Sequence, residues 1–232
     1  ILLPMRAPFF IVLFVFLWNG TTLFSQEFEN YEQQVTGESF KLEMIAVPGG
    51  TFLMGADDDD KTRKQDEKPL HEVFIDSLWM GKYEISWEQY EAFVYGEFAD
   101  EQFKDSTTLN AFAIDAISGA TTPYEDMSNN MGKGDAPAVN MTQYAALMFC
   151  KWLTAKTGVF YRLPTEAEWE FVCKTGQTDQ VESLDSIAVY KTNSQGKYAE
   201  KGSLKPNNLG IHDLLGNVSE WVLDAYESRY YK

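Results

Sequence analysis

Two acidic side chains, Asp213 and Glu220, bracket a Gly216-Asn217 turn in the run Asp213-Leu-Leu-Gly-Asn-Val-Ser-Glu220. Such a turn can direct backbone carbonyls inward, and carboxylates with carbonyls make the hard oxygen donor set that calcium takes. On spacing alone, a capped turn leading into a strand anchored by Trp221 explains these residues better. Three glutamates, Glu166, Glu168 and Glu170, form a second acidic group. Acid–base chemistry is conceivable there, but helix capping and a solvated face account for all three. His71 and His212 are the only histidines and lack the helical spacing of a zinc site. No nucleophile elbow, phosphate-binding loop or dinucleotide fingerprint occurs. Asp57 to Asp60 lack the alternation and the glycine of a calcium loop, so they read as a solvated charge run.

The element that best positions this chemistry is a helix beginning after Thr165. Thr165 is an N-cap, Glu168 completes a capping box, and Pro164 can staple onto Trp169. Glu166 and Glu168 favour the positive end of the helix dipole, Glu170 and Lys174 form an i,i+4 pair, and Gly176 ends the helix. Trp169, Val172 and Cys173 mark its buried stripe. Upstream, Leu42 to Val47 reads as a strand, Pro48-Gly49-Gly50 as a turn and Thr51 to Met54 as the returning strand. A charged loop follows, then a strand from His71 to Ile75 that continues through Leu78 to Tyr83. Ser86 and Gln89 open a helix that buries Tyr90, Phe93 and Val94 and ends at Gly96. Residues 97–136 lack a sustained period and read as a long insertion. Thr142 caps a helix running to Thr157 whose apolar residues imply burial on most sides.

The chain has 232 residues, and 44% of them are hydrophobic, enough for a sizeable core. Its formal charge of −16 argues against nucleic acid and anionic membrane surfaces as partners. Residues 1–25 show a signal-peptide pattern, with Arg6, an apolar run from Ala7 to Trp18, and small or polar residues through Ser25. The run is short for a membrane span, so cleavage near Ser25–Gln26 and an exported product without a stable anchor are expected. Residues 26–40 read as a loose polar leader before a domain covering 41–232. Cys150 and Cys173 are the only cysteines, and sequence leaves open whether they pair or lie buried and reduced.

Five ordered blocks together resemble the formylglycine-generating enzyme family, also called the sulfatase-modifying-factor domain. They are VPGGTFLMG, DEKPLHEVFIDSLWMGKYEISWEQYEAF, APAVNMTQYAALMFCKWL, RLPTEAEWEFVCKTG and LGIHDLLGNVSEW. The resemblance implies one compact α+β domain with little regular structure, of the C-type-lectin-like superfamily. It also implies calcium held by the Asp213 and Glu220 side chains and the Gly216 and Val218 carbonyls. A further calcium site of the family maps loosely onto Asn193 and Ser194. Active members bind copper through a cysteine pair in a later segment and oxidise a cysteine of a sulfatase. That segment lies past Lys232, so the chain as written is expected to have no soft-ligand copper site and no catalytic residues. Cys150 and Cys173 match helix positions that form structural disulfides in some members. The expectation is an exported, calcium-stabilised domain without activity as given. The alternatives are a copper-dependent oxidase acting on sulfatase cysteines, if a longer chain supplies the pair, a non-catalytic envelope module with a protein or peptide partner, or, by fold analogy alone, a lectin-like sugar binder.

Overall fold

The computed structural model describes residues 28–57, 64–96, 125–177 and 183–228. The expected signal peptide, the aspartates from Asp58 on, and most of the insertion lie outside those residues.

Among the described residues, five strands form two small antiparallel sheets. In the first, β1 (Tyr31–Gln34) and β5 (Leu78–Gly81) flank β2 (Lys41–Val47). In the second, β3 (Gly50–Met54) pairs with β4 (His71–Ile75) from Gly50 opposite Ile75 to Met54 opposite His71. Three expectations are corrected here. Part of the presumed leader is β1, because Tyr31 packs edge-on against Trp79 and Val35 is fully buried. β3 does not return along β2, whose two edges are already taken by β1 and β5. Nor is Leu78–Tyr83 a continuation of β4, since the chain changes sheet at Asp76–Ser77. Gly49 allows that crossing, because a Cβ there would lie 2.5 Å from the Ile75 carbonyl oxygen.

Three α-helices among the described residues cover the sheets, α1 (Trp87–Tyr95), α2 (Gln143–Thr157) and α3 (Glu166–Thr175). Each starts where its cap predicts. Ser86 and Thr165 form complete capping boxes with Gln89 and Glu168, and Thr142 accepts from the Ala145 N–H. α1 and α2 pack together over an aromatic core in which Tyr90, Phe93, Phe149 and Trp152 are each at most 8% exposed. Their ring centroids lie 5.5–6.0 Å apart, a spacing at which each pair adds about 0.5–1.5 kcal/mol beyond burial. α3 instead packs on β3 and β4, where Phe171 meets Phe52 and Val172 is fully buried. Lys174 ties that helix to the end of β3 by donating to the Leu53 and Gly55 carbonyls.

The two cysteines follow this division. Cys150 lies on α2 and Cys173 on α3, and both are free and buried. Burial pushes the Cys150 thiol up to about 11 and raises that of Cys173 as well. No helix among the described residues is long and apolar enough to cross a membrane.

Candidate metal centre

The turn from Asp213 to Glu220 sits where β5 gives way to α1, next to the start of α3. Ile211 and Leu214 anchor it in the core beneath α3. Asp213 and Asn217 adopt left-handed φ values of 64° and 61°, which short polar side chains tolerate better than most. The Gly216 N–H closes the turn on the Asp213 carbonyl at 2.9 Å. Only glycine fits at 216, because a Cβ there would lie 2.2 Å from the Val189 carbonyl oxygen.

Asp213 is 4% exposed. One carboxylate oxygen, Oδ2, accepts the Gly202 N–H at 2.6 Å. The other, Oδ1, is buried and has no hydrogen-bond partner. An orphaned buried carboxylate oxygen is costly unless something positive reaches it. Glu220 Oε2 accepts the Trp169 indole N–H at 2.8 Å. No hydrogen bond from the described residues reaches the carbonyl oxygens of Gly216 or Val218.

Reading the sequence missed a third carboxylate. Glu84, between β5 and the Ser86 cap, reaches across to the same turn. Its Oε2 accepts from the Asn217 amide at 2.7 Å and its Oε1 from the Val218 N–H at 3.3 Å. Burial, then repulsion from Glu220 and Asp213, pushes the Glu84 carboxyl up to about 8 despite those two hydrogen bonds. Dense surroundings and Asp213 raise Glu220 as well, although Glu220 keeps enough surface exposure for solvent to screen part of that repulsion. Glu84 gave no local signal, because its partners are more than a hundred residues away in the sequence. Among the described residues no three His, Cys, Asp or Glu side chains form a metal cluster by themselves. What the turn offers is a mixed set of carboxylate and carbonyl oxygens, the chemistry calcium uses.

The remaining expected residues fall elsewhere. Asn193 is spent within its own loop, with Oδ1 accepting the Tyr190 N–H and Nδ2 donating to Ala188 and Asp185. Trp221 is 47% exposed and donates to the Met141 carbonyl at 3.0 Å. It anchors an irregular segment and not the strand expected after the turn. That segment crosses the starts of α2 and α3, where Gln143 donates to the Val222 carbonyl and Asp224 accepts the Glu166 N–H. His71 and His212 use Nδ1 on separate backbone carbonyls, those of Pro69 and Leu204.

Comparison with known proteins gives this geometry a context. Residues 28–232 match the profile of the sulfatase-modifying factor enzyme 1-like domain. Formylglycine-generating enzyme of Mus musculus is 27% identical, with 78% of this chain and 58% of that protein aligned. Inactive C-alpha-formylglycine-generating enzyme 2 of Mus musculus is 28% identical, over 79% of this chain and 69% of that protein. A protein named serine/threonine-protein kinase pkn1, from Chlamydia caviae, is 27% identical over 90% of this chain but only 32% of its own length. The chain thus spans about a third of the kinase-named relative and somewhat over half of the formylglycine-generating enzyme. Among solved structures, PvdO from Pseudomonas aeruginosa superposes with a TM-score of 0.62 at 28% identity, covering 86% of this chain and 77% of that one. Treponema denticola variable protein 1 shares the fold, with a TM-score of 0.61 at 20% identity over 85% of this chain and 77% of that one.

Proposed function

Because the chain belongs to the sulfatase-modifying factor enzyme 1-like family, we propose that it is an exported domain stabilised by calcium at the 213–220 turn. The observation that carries the reading is the buried, unpartnered Oδ1 of Asp213 beside the repelled carboxylates of Glu84 and Glu220. Asp213 and Glu220 would ligate through their side chains, and Gly216 and Val218 through their carbonyls. Bound calcium would supply the positive charge that this group of acids lacks. The fold is assigned with it to the C-type-lectin-like superfamily. Asn193 is left out of the ligand set, since its amide is already committed.

No catalytic role is proposed for residues of this sequence. Equal similarity to an active and an inactive formylglycine-generating enzyme favours neither. The two thiols lie buried on separate helices, so a copper site would need a cysteine pair from outside this sequence. Without one, a binding role toward a protein or peptide at the envelope fits better. Export rests on the pattern of residues 1–25, and secreted protein whose N-terminus lies near Gln26 is the expected product.

Calcium that binds only the folded state stabilises it by about 2.7 kcal/mol at a hundredfold excess over Kd. For a domain of this size that is a Tm rise of about 5–10 °C. Differential scanning calorimetry with calcium and with chelator checks it, and Glu220→Ala should erase the difference. A wild-type melting curve that chelator leaves unmoved would sink the reading.

A further inference from the structure

We infer that Glu84 is a positioning residue for the cation turn: it grips Asn217 and Val218 so that the carbonyls beside them stay turned toward the ion. The inference rests on the calcium reading above and adds a residue that the ligand set does not contain.

The backbone around Glu84 is fixed from both sides. Lys82 donates its N–H to the Glu43 carbonyl and accepts the His212 N–H, at 2.9 and 3.0 Å. Ile85 accepts the Ala138 N–H at 2.8 Å, and Ser86 is fully buried. A side chain rooted there has little freedom. Both of its oxygens are used on the turn, one on the Asn217 amide and one on the Val218 N–H.

The turn is therefore held at two successive peptides. The Asn217 N–H donates to the Val189 carbonyl at 2.7 Å. Peptide planarity then makes the Gly216 carbonyl point the opposite way, where no donor among the described residues reaches it. One residue on, the Val218 N–H is committed to Glu84, which by the same planarity fixes the Asn217 carbonyl and anchors the near side of the residue whose own carbonyl lies on the next peptide. The Asn217 side chain closes the clamp, since its Oδ1 accepts the Ala199 N–H at 2.9 Å while its Nδ2 donates to Glu84. A neutral acceptor would satisfy the same two donors without adding like charge beside Asp213 and Glu220. A carboxylate makes sense there if a cation shares the site. The orphaned Asp213 Oδ1 is independent evidence that something is held.

The test uses the full chain with calcium, and with terbium as a luminescent substitute sensitised by Trp169, whose indole touches Glu220. Outer-shell partners of a metal ligand are typically worth 10–100-fold in affinity. Glu84→Gln and Glu84→Ala should therefore weaken calcium binding by about 10–100-fold, with the number of waters on bound terbium unchanged. Leu153→Ala, which loosens the separate core between α1 and α2, should lower Tm and leave Kd alone. Wild-type protein that binds neither ion overturns the calcium reading itself. If the wild type binds and folded Glu84→Gln binds equally well, only the role of Glu84 is overturned. An added water on terbium would make Glu84 a ligand instead, and a Glu84→Gln chain that cannot fold with calcium present would make it purely structural.

Discussion

Glu168 and Glu84 are two glutamates with one task, accepting backbone N–H groups at a bend of the chain, yet their acidities move in opposite directions. Glu168 takes two hydrogen bonds from the Arg162 guanidinium, at 2.7 and 2.6 Å, and a third from the Thr165 N–H at 2.8 Å. The Arg162 hydrogen bond, outweighing burial, holds its carboxyl below the usual glutamate value. Glu84 accepts from a side-chain amide and a backbone N–H, but its charged neighbours are Asp213 and Glu220, and it is pushed the other way. At the start of α3 the chain supplies its own cation, and the result is a helix terminus. At the 213–220 turn the described residues supply three acids and no cation partner, and the charge is left for something else to neutralise. Capping explains the first region completely; it leaves the second with an orphaned oxygen.

The largest effect that sharpens this contrast is steric. At Gly216 the obstacle to a side chain is the Val189 carbonyl, a backbone atom that cannot swing aside. Gly216→Ala should cost about 3–5 kcal/mol and remove the calcium response together with the turn. Urea unfolding with and without calcium measures both. A variant with near wild-type stability would mean that the turn yields easily and that its shape is not what prepares the site.

The charges come next. Glu168→Ala removes a cap acceptor and the partner of Arg162. Arg162 keeps 40% of its side-chain exposure, so solvent screens the ion pair and places the loss near 2 kcal/mol. Because the folded state depresses the pKa of Glu168, its contribution is full above the unfolded value of 4.5 and fades as pH falls through the lower folded value. Wild-type stability should therefore drop more steeply than that of Glu168→Gln below about pH 4.5, measured as Tm against pH. Identical slopes would break the comparison, since Glu168 would then be no better compensated than Glu84.

How much of this was legible in the sequence depended on how far away each partner stands. The Thr165–Glu168 box, the Ser86–Gln89 box and the Glu170–Lys174 pair are all local, and each lies where spacing places it. The spacing puts Trp169, not Phe171, on the buried stripe, yet Phe171 is the residue buried on Phe52. Pairing of the strands is not legible locally, because Pro48-Gly49-Gly50 resembles a hairpin turn while the edges of β2 are claimed by β1 and by the more distant β5. Asp213 and Glu220 were visible as a candidate pair. Glu84 was not, because nothing within its own neighbourhood distinguishes a clamp on residue 217 from a solvated acid ahead of a helix.

The smallest expected effect concerns the two thiols, and it separates the cores as the glutamates separate the bends. Cys150 is buried on α2 and Cys173 packs in the core beneath α3, each 9% exposed. A thiol reacts as its thiolate, and burial moves Cys150 from its ordinary 9.0 to about 11, so at pH near 8 almost none is ionised. Cys173 is raised in the same direction, first by burial and then by its acidic neighbours Glu170 and Glu220, against a weak hydrogen bond from Gln177. Native protein treated with Ellman's reagent should show no appreciable labelling over minutes, and guanidinium should release both thiols. Intact mass should be that of the fully reduced chain, because the helices that carry the two sulfurs pack chiefly against different elements. One thiol reacting at once in the native state would show that its core is open. A mass lower by two hydrogens would show the sulfurs joined, and the division of the molecule into two separately packed cores would have to be abandoned.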